Sequence, residues 1–507
     1  MKKFLAVVAA AIVGLSFVAC TSPFEDTGTS DGGSAAANKV VIKVGVLNTT
    51  TEMDIFSKYK RGFETKYPNI SLLLDPIPGD YSTGMNNYVN NDSFPDVVFT
   101  TGDQHGAYSS QGHFLDLRAY DEADDSFSFD LIYPELVETT HYSTSDEGVW
   151  FMPRDYNKVI TFVNKTMLAL VPGENGKMFA GYETFENLKA NWNLDTFYEV
   201  CQAITDKVAE NAANPGDVSQ EEKLAGLIKN TYAVDARYNW APSYSAILKH
   251  YGGAMIDTTK LNGADTDYAE VLSVDAKSTM EAYRSFYENL AKPGYVKPSL
   301  TQSGVSLFPN SQAAFWFTTR PSWGDVISNN ATFDVDFLPF PYDYTGVGCS
   351  GYAITKLAAS RYSENAETDA DGQKLSNADY GWIFLKYIAS EEGQNEFGSI
   401  GMGVPSLISL KDKGTWMEYG SADLNHEAFL EDVEGQTVLS VNDIYCFPAT
   451  AQKTVSDNCI SIMTYVVKEN FWPADLTLEM TESNYSDIYA KVKEYKQVMM
   501  TRIEASL

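Results

Sequence analysis

The residues of this chain best suited to chemistry are amides, carboxylates and flat rings rather than nucleophiles or metal ligands. Asp103 and Gln104 follow a short apolar run, Val97–Phe99, that ends in the small polar residues Thr100, Thr101 and Gly102. A carboxylate next to a carboxamide offers acceptors and donors for hydroxyl groups, and Gly102 and Gly106 leave room for a close approach. The same residues also suit an ordinary strand-to-helix turn with Asp103 as its N-cap. No HExxH, G-x-S-x-G elbow or P-loop is present, and the 5 histidines are scattered. The 68 acidic residues make chance carboxylate neighbours inevitable. A pair about 5 Å apart, as a retaining glycosidase needs, therefore stays open as a minor alternative. The acidic stretch Asp121–Asp130 (DEADDSFSFD) lacks the spacing and glycine of a calcium loop. Neither a metal nor a cofactor is expected.

Composition narrows the ligand. The chain has 507 residues, too many for one core, and 31 Tyr, 27 Phe and 8 Trp exceed what packing alone requires. Sugars suit such a surplus, because their C–H faces stack on aromatic rings while their hydroxyls bond to planar polar groups. The net charge is −31. That field repels nucleic acid and anionic lipid and disfavours phosphorylated or carboxylate ligands. Neutral solutes fit, and so do cationic ones such as a polyamine or a peptide.

The first residues read as an address rather than as fold. Lys2 and Lys3 precede an apolar body, Phe4–Ala19, too short to span a bilayer, which is the pattern of a secretory leader over residues 1–19. Cys20 after Ala19 resembles the cysteine of the bacterial lipobox, with Phe17 standing where leucine is usual, so the resemblance implies lipidation at Cys20. Residues 20–38 are mostly Ser, Thr, Gly, Asp and Ala, a flexible tether. The mature chain is then expected outside the cytoplasm, facing the periplasm or the cell exterior and held to the membrane only by lipid. Cys201, Cys349, Cys446 and Cys459 remain; buried free thiols are the simpler reading, with a Cys446–Cys459 bridge as the alternative.

The elements that must position these residues alternate. Val40–Leu47 reads as a strand, Met53–Tyr67 as a helix with Ile55, Phe56, Tyr59 and Phe63 on one face, and Ile70–Leu74 as a second strand. Such a unit starts a doubly wound α/β lobe, whose ligands sit at the carboxyl ends of the strands. Asn48 and Glu52 then share the mouth where Asp103 lies. Further helices are expected from Leu194, Ala378, Val455 and Ile488, and Glu210–Glu222 as an exposed polar insertion. Gly346, Gly348 and Gly351 spell G-x-G-x-x-G, but the β-type Tyr352–Thr355 follows instead of a helix, so no dinucleotide site is read there. These glycines fit a hinge.

Several segments, in order, resemble the extracellular solute-binding proteins of ABC sugar importers, in particular the maltose-type branch. They are FETKYPNISLLL from Phe63, PDVVFTTGDQHGAYSSQGHFLDL from Pro95, GVWFMPRDYNKVITFVNKTML from Gly148, AAFWFTTRPSWGDV from Ala313 and FLPFPYDYTGVGCSGYAIT from Phe337. The resemblance places Asp103 on the family's sugar-binding aspartate. Gln104, Thr100, Val163 and Arg320 depart from an arginine, a tryptophan, a tyrosine and a glycine. It implies an α/β, two-lobe periplasmic-binding-protein-like (type II) fold with three hinge crossings. One lobe would hold residues 39–150 and 350–405, the other 151–349 and 406–507. It further implies a monomer that traps a sugar or oligosaccharide and delivers it to permease subunits. Trp323 and Trp240 would stack on the sugar. Asn48, Glu52, Gln104, Asp155, Tyr156, Arg320, Ser350, Gly351 and Tyr352 would line the cleft with Asp103.

Overall fold

The computed structural model describes residues 39–507 except 80, 143–145, 263–264, 299–306, 329–331, 370, 402, 412, 419–422, 431–432 and 441–445. The leader, Cys20 and the tether lie outside the described residues. Val40–Leu47 (β1) pairs in parallel with Ile70–Ile77 (β2) along its whole length and with Val97–Thr101 (β3) at Val44 and Gly45. β2 runs on through Pro76, past the expected end at Leu74. It is the edge strand of its sheet, where a proline's missing N–H breaks no ladder. The intervening helix, Thr50–Lys66, starts before the expected Met53 because the Thr49 hydroxyl caps the Glu52 amide. It buries Ile55, Phe56, Tyr59 and Phe63, the stripe read from the sequence.

Ten more strands complete the sheets: Met152–Pro153 (β4), Asp155–Lys158 (β5), Ile160–Asn164 (β6), Tyr232–Asp235 (β7), Ala313–Thr318 (β8), Val335–Leu338 (β9), Tyr344–Gly348 (β10), Ser350–Ile354 (β11), Val404–Pro405 (β12) and Thr437–Ser440 (β13). The first lobe is built on the order β2-β1-β3-β11-β4 and the second on β7-β8-β6-β9. Between them lies a smaller sheet, β12-β5-β10-β13. The chain leaves the first sheet at β4, passes through the middle sheet as β5 and enters the second as β6. It returns by the same route over β9, β10 and β11, and β12 makes the third crossing.

β6 and β8 are buried at every position, as strands covered on both faces must be. Val163, Phe315, Phe317 and Leu338 pack into a core that also takes the helix Leu194–Ala213, while Phe162, Trp316 and Phe337 face the opposite way. That helix extends well past the expected Thr205 and is capped by Asn193. It absorbs the start of the segment expected as an exposed insertion. Cys201, Cys349, Cys446 and Cys459 are buried and form no disulfide with one another. Among the described residues no helix is long and apolar enough to cross a membrane.

Candidate functional site

The first crossing carries Arg154 into the centre of the molecule. Its Nη1 and Nη2 donate to Glu52 Oε2 and Oε1 at 2.7 and 2.6 Å, and its Nε donates to Ser350 Oγ at 3.0 Å. The Phe397, Phe99 and Tyr352 rings surround the guanidinium at 5.1, 5.2 and 5.8 Å. Burial works against the charge, but the Glu52 carboxylate outweighs it, so Arg154 stays protonated with its pKa well above the usual value. Ser350 in turn donates its N–H and its hydroxyl to the two oxygens of Asp155, both at 2.6 Å. Burial pushes the Asp155 carboxyl above its ordinary range, against the pull of Arg154 and Ser350. Gln394 donates to the Arg154 carbonyl and accepts from the Ser406 amide, and Ser406 Oγ donates to the Pro153 carbonyl. All three crossings are thereby stitched together.

Glu52, Asp155, Ser350 and Tyr352, expected at one cleft, thus do converge, but as a buried fastening of the hinge. Gly351 belongs to it for a steric reason: a Cβ there would lie 2.0 Å from the Met152 carbonyl oxygen. Tyr156 is buried against the ring of Tyr133 at 4.6 Å. At the mouth of β1 and β3, Asn48 and Asp103 are exposed and Gln104 is half-buried. Asp103 accepts from the Thr101 hydroxyl rather than capping the following short helix, whose N-cap is His105.

On the second lobe, Arg320 is fully buried and donates to the Gly401 and Trp416 carbonyls at 3.0 Å and to His426 Nδ1 at 2.9 Å. Those donors tie Gly401, just before the third crossing, and Trp416 and His426, beyond it, to the start of the helix that carries Trp323. Trp323 is 7% exposed and packs edge-on to Phe337 and Phe162 at 5.4 and 6.3 Å. Trp240 is half-buried at the start of the helix Ala241–His250. The Arg237 guanidinium lies 4.1 Å over its ring and donates to Thr318 Oγ1 at 3.0 Å. Arg237 was not anticipated; its left-handed backbone, φ 42, has no signature in the sequence.

The seam between the lobes is closed at one end, where the helix Ala449–Val466 of the second lobe packs on Gly106–Ser109 of the first. A groove of about 560 Å³ lies elsewhere, between Tyr67, Phe127, Tyr387 and Ile408.

Two α/β lobes joined by three crossings define the two-lobe periplasmic-binding-protein-like fold, of the kind found in maltose-type solute-binding proteins. An ABC substrate-binding protein from Listeria monocytogenes in complex with cycloalternan shares it with a TM-score of 0.61, 14% identity and coverage of 91% of this chain and 98% of that one. The GacH receptor of Streptomyces glaucescens, solved unliganded and with acarbose, gives 0.58 at 15% identity, covering 92% and 100%. An ABC transporter solute-binding protein from Thermotoga lettingae bound with α-D-tagatose gives 0.60 at 13%, covering 91% and 100%. The sequence matches no family model and no curated protein.

Proposed function

We propose that this chain is the solute-binding component of an ABC importer, a binder rather than an enzyme, that encloses a neutral saccharide between its lobes and hands it to permease subunits. The observation that carries this reading is the hinge itself, three crossings threaded through one small sheet between two α/β lobes. A body divided in this way can open and shut, and a ligand favours the shut form by the contacts it makes only there. Proteins of this fold have been solved with cycloalternan, acarbose and tagatose, which supports a saccharide. The exposed Asn48, Asp103 and Gln104 supply hydroxyl partners on the first lobe, and Trp240 supplies a ring on the second.

The proposal includes export of a monomer under a leader, with Cys20 lipidated and residues 20–38 as a tether. It places the lobe boundaries at 39–150 with 350–405 and at 151–349 with 406–507. The acidic balance favours a second reading, a cationic solute such as a polyamine. Thermal-shift screening of the mature chain against neutral oligosaccharides and polyamines decides between them. A rise in melting temperature with oligosaccharides is expected, and a rise with polyamines alone would overturn the saccharide reading.

A further inference from the structure

The helix Thr50–Lys66 packs on the first sheet, and two of its side chains also reach round to the outer edge of β2. That edge is laid out by the parallel pairing with β1. The Val40 N–H donates to the Asn69 carbonyl, so Asn69, Ser71 and Leu73 turn their backbone groups toward β1. The alternate residues Ile70, Leu72 and Leu74 turn theirs outward, and among the described residues β2 is the last strand on that side. The segment Ile70–Leu74 reads ISLLL, without a charge or a proline. Leu73 and Leu74 are 51% and 37% exposed. An apolar edge of this kind, left bare, is a template for another chain.

The edge is not bare. At Leu72, its middle rung, the N–H donates to Glu64 Oε1 at 2.8 Å and the carbonyl accepts from Lys60 Nζ at 2.8 Å. Lys60 Nζ also donates to Glu64 Oε1, and Ser71 Oγ donates to the same oxygen at 3.0 Å. Lys60 and Glu64 stand one helical turn apart on the same face. Together they offer Leu72 the acceptor and the donor that a neighbouring strand would. On one side of this rung the Ile70 N–H is taken by the Tyr67 carbonyl at 3.0 Å, and on the other Pro76 has no N–H to offer. Burial raises the pKa of the Glu64 carboxyl, but the Lys60, Leu72 and Ser71 donors outweigh it and hold the group below its usual value. Glu64 therefore stays ionised at neutral pH.

We propose that Lys60 and Glu64 guard the edge of β2 against a second copy of this chain. The second copy is the partner that fits, because the segment is complementary to itself. About a two-fold axis at Leu72, antiparallel strands would exchange N–H···O=C bonds between the two Leu72 residues. Leu73 and Leu74 would then lie opposite Ser71 and Ile70 of the second copy. With the guard in place that central rung is already filled, and pairing would first have to break a hydrogen-bonded ion pair. The inference goes beyond the saccharide reading and is independent of the solute held between the lobes. It gives the proposed monomer a physical cause.

The test is sedimentation velocity of the mature chain over a range of concentrations, with hydrogen exchange beside it. The wild type is expected to sediment as a monomer throughout. The double variant Lys60→Ala/Glu64→Ala frees both backbone groups of Leu72 and keeps a good helix former at each position. It is expected to move toward twice the monomer's mass as concentration rises. Adding Leu74→Pro removes an outward donor and leaves the β1 ladder whole, so it should return the double variant to a monomer. In the wild type the Leu72 amide should exchange more slowly than the Leu74 amide; equal rates would overturn the guard without any variant. A folded double variant that stays monomeric at every concentration would overturn it too. So would a dimer that persists with Leu74→Pro, since the contact would then lie elsewhere. A wild type that self-associates even with Leu74→Pro would overturn the monomer reading alone, the guard still being decided by the exchange rates.

Discussion

Arg154 and Glu52, 102 residues apart in the chain, meet in a two-pronged ion pair at 2.6 and 2.7 Å, with the arginine side chain 3% exposed and the glutamate 12%. The pair joins the first crossing to the first helix of the first lobe. Removing one partner of a buried pair leaves an uncompensated charge, which typically costs about 3–5 kcal/mol. Arg154→Met is therefore expected to destabilise the protein by about 3 kcal/mol in denaturant unfolding. Glu52→Gln should cost less, because Asp155 remains 3.7 Å from Arg154 Nε. The double variant should be milder than the sum of the two, and strict additivity would mean that the ion pair is not what couples them.

Trp323 is a second test of what is fastening and what is site. A tryptophan that packs against Phe162 and Phe337 contributes to the core of the second lobe. Trp323→Ala is expected to cost about 3 kcal/mol or more, from lost transfer and the cavity left behind. Chemical denaturation measures it. An unfolding midpoint equal to the wild type, with weakened saccharide binding, would restore Trp323 to the role of an exposed stacking platform.

These two cases mark how far the sequence could be read. The β-branched runs Val40–Leu47 and Val97–Phe99 and the stripe Ile55–Phe63 were legible because their period and composition are local properties. The segments that hold Glu52, Arg154, Asp155 and Ser350 were legible too, but their bonding was not. Asp155 and Ser350 are 195 residues apart, and no local pattern distinguishes a carboxylate aimed at a ligand from one that ties a hinge. Trp323 follows a proline-containing turn and reads alike whether its ring faces solvent or core. Its burial is set by Phe337, a distant residue of β9. The start of the first helix was misplaced because three threonines in a row, Thr49–Thr51, hide which one caps.

His105 makes stability depend on pH. It is fully buried beside Phe151, its Nδ1 lies 3.0 Å from Ser109 Oγ, and burial lowers its pKa to about 3. In the unfolded chain a histidine titrates near about 6.5. Between those values the unfolded state binds a proton that the folded state does not. The contribution is therefore fully present above about 6.5 and is lost as pH falls toward the folded value. The urea midpoint should drop between pH 7.5 and 4.5, and His105→Gln should flatten that dependence. An unchanged slope in the variant would assign the acid sensitivity to other groups.

The stack of Arg237 on Trp240 sets the last expectation. One part of the indole packs on the second-lobe core and the guanidinium covers another at 4.1 Å. A sugar can use the ring as a platform only if Arg237 moves aside, so the guanidinium competes with the ligand for the same face. A stacked ring contributes about 0.5–1.5 kcal/mol beyond area burial. The competing cation–π contact at a partly exposed site is of about the same size, 0.5–1 kcal/mol. Uncovering the ring should therefore tighten binding of a neutral oligosaccharide, by about twofold to fivefold in Arg237→Ala. Trp240→Ala should weaken binding whether or not Arg237 is present. Calorimetric titration of both single variants and of the double variant separates the roles. If Arg237→Ala weakens binding while Trp240→Ala leaves it unchanged, the arginine is the ligand's partner and the ring is only its support.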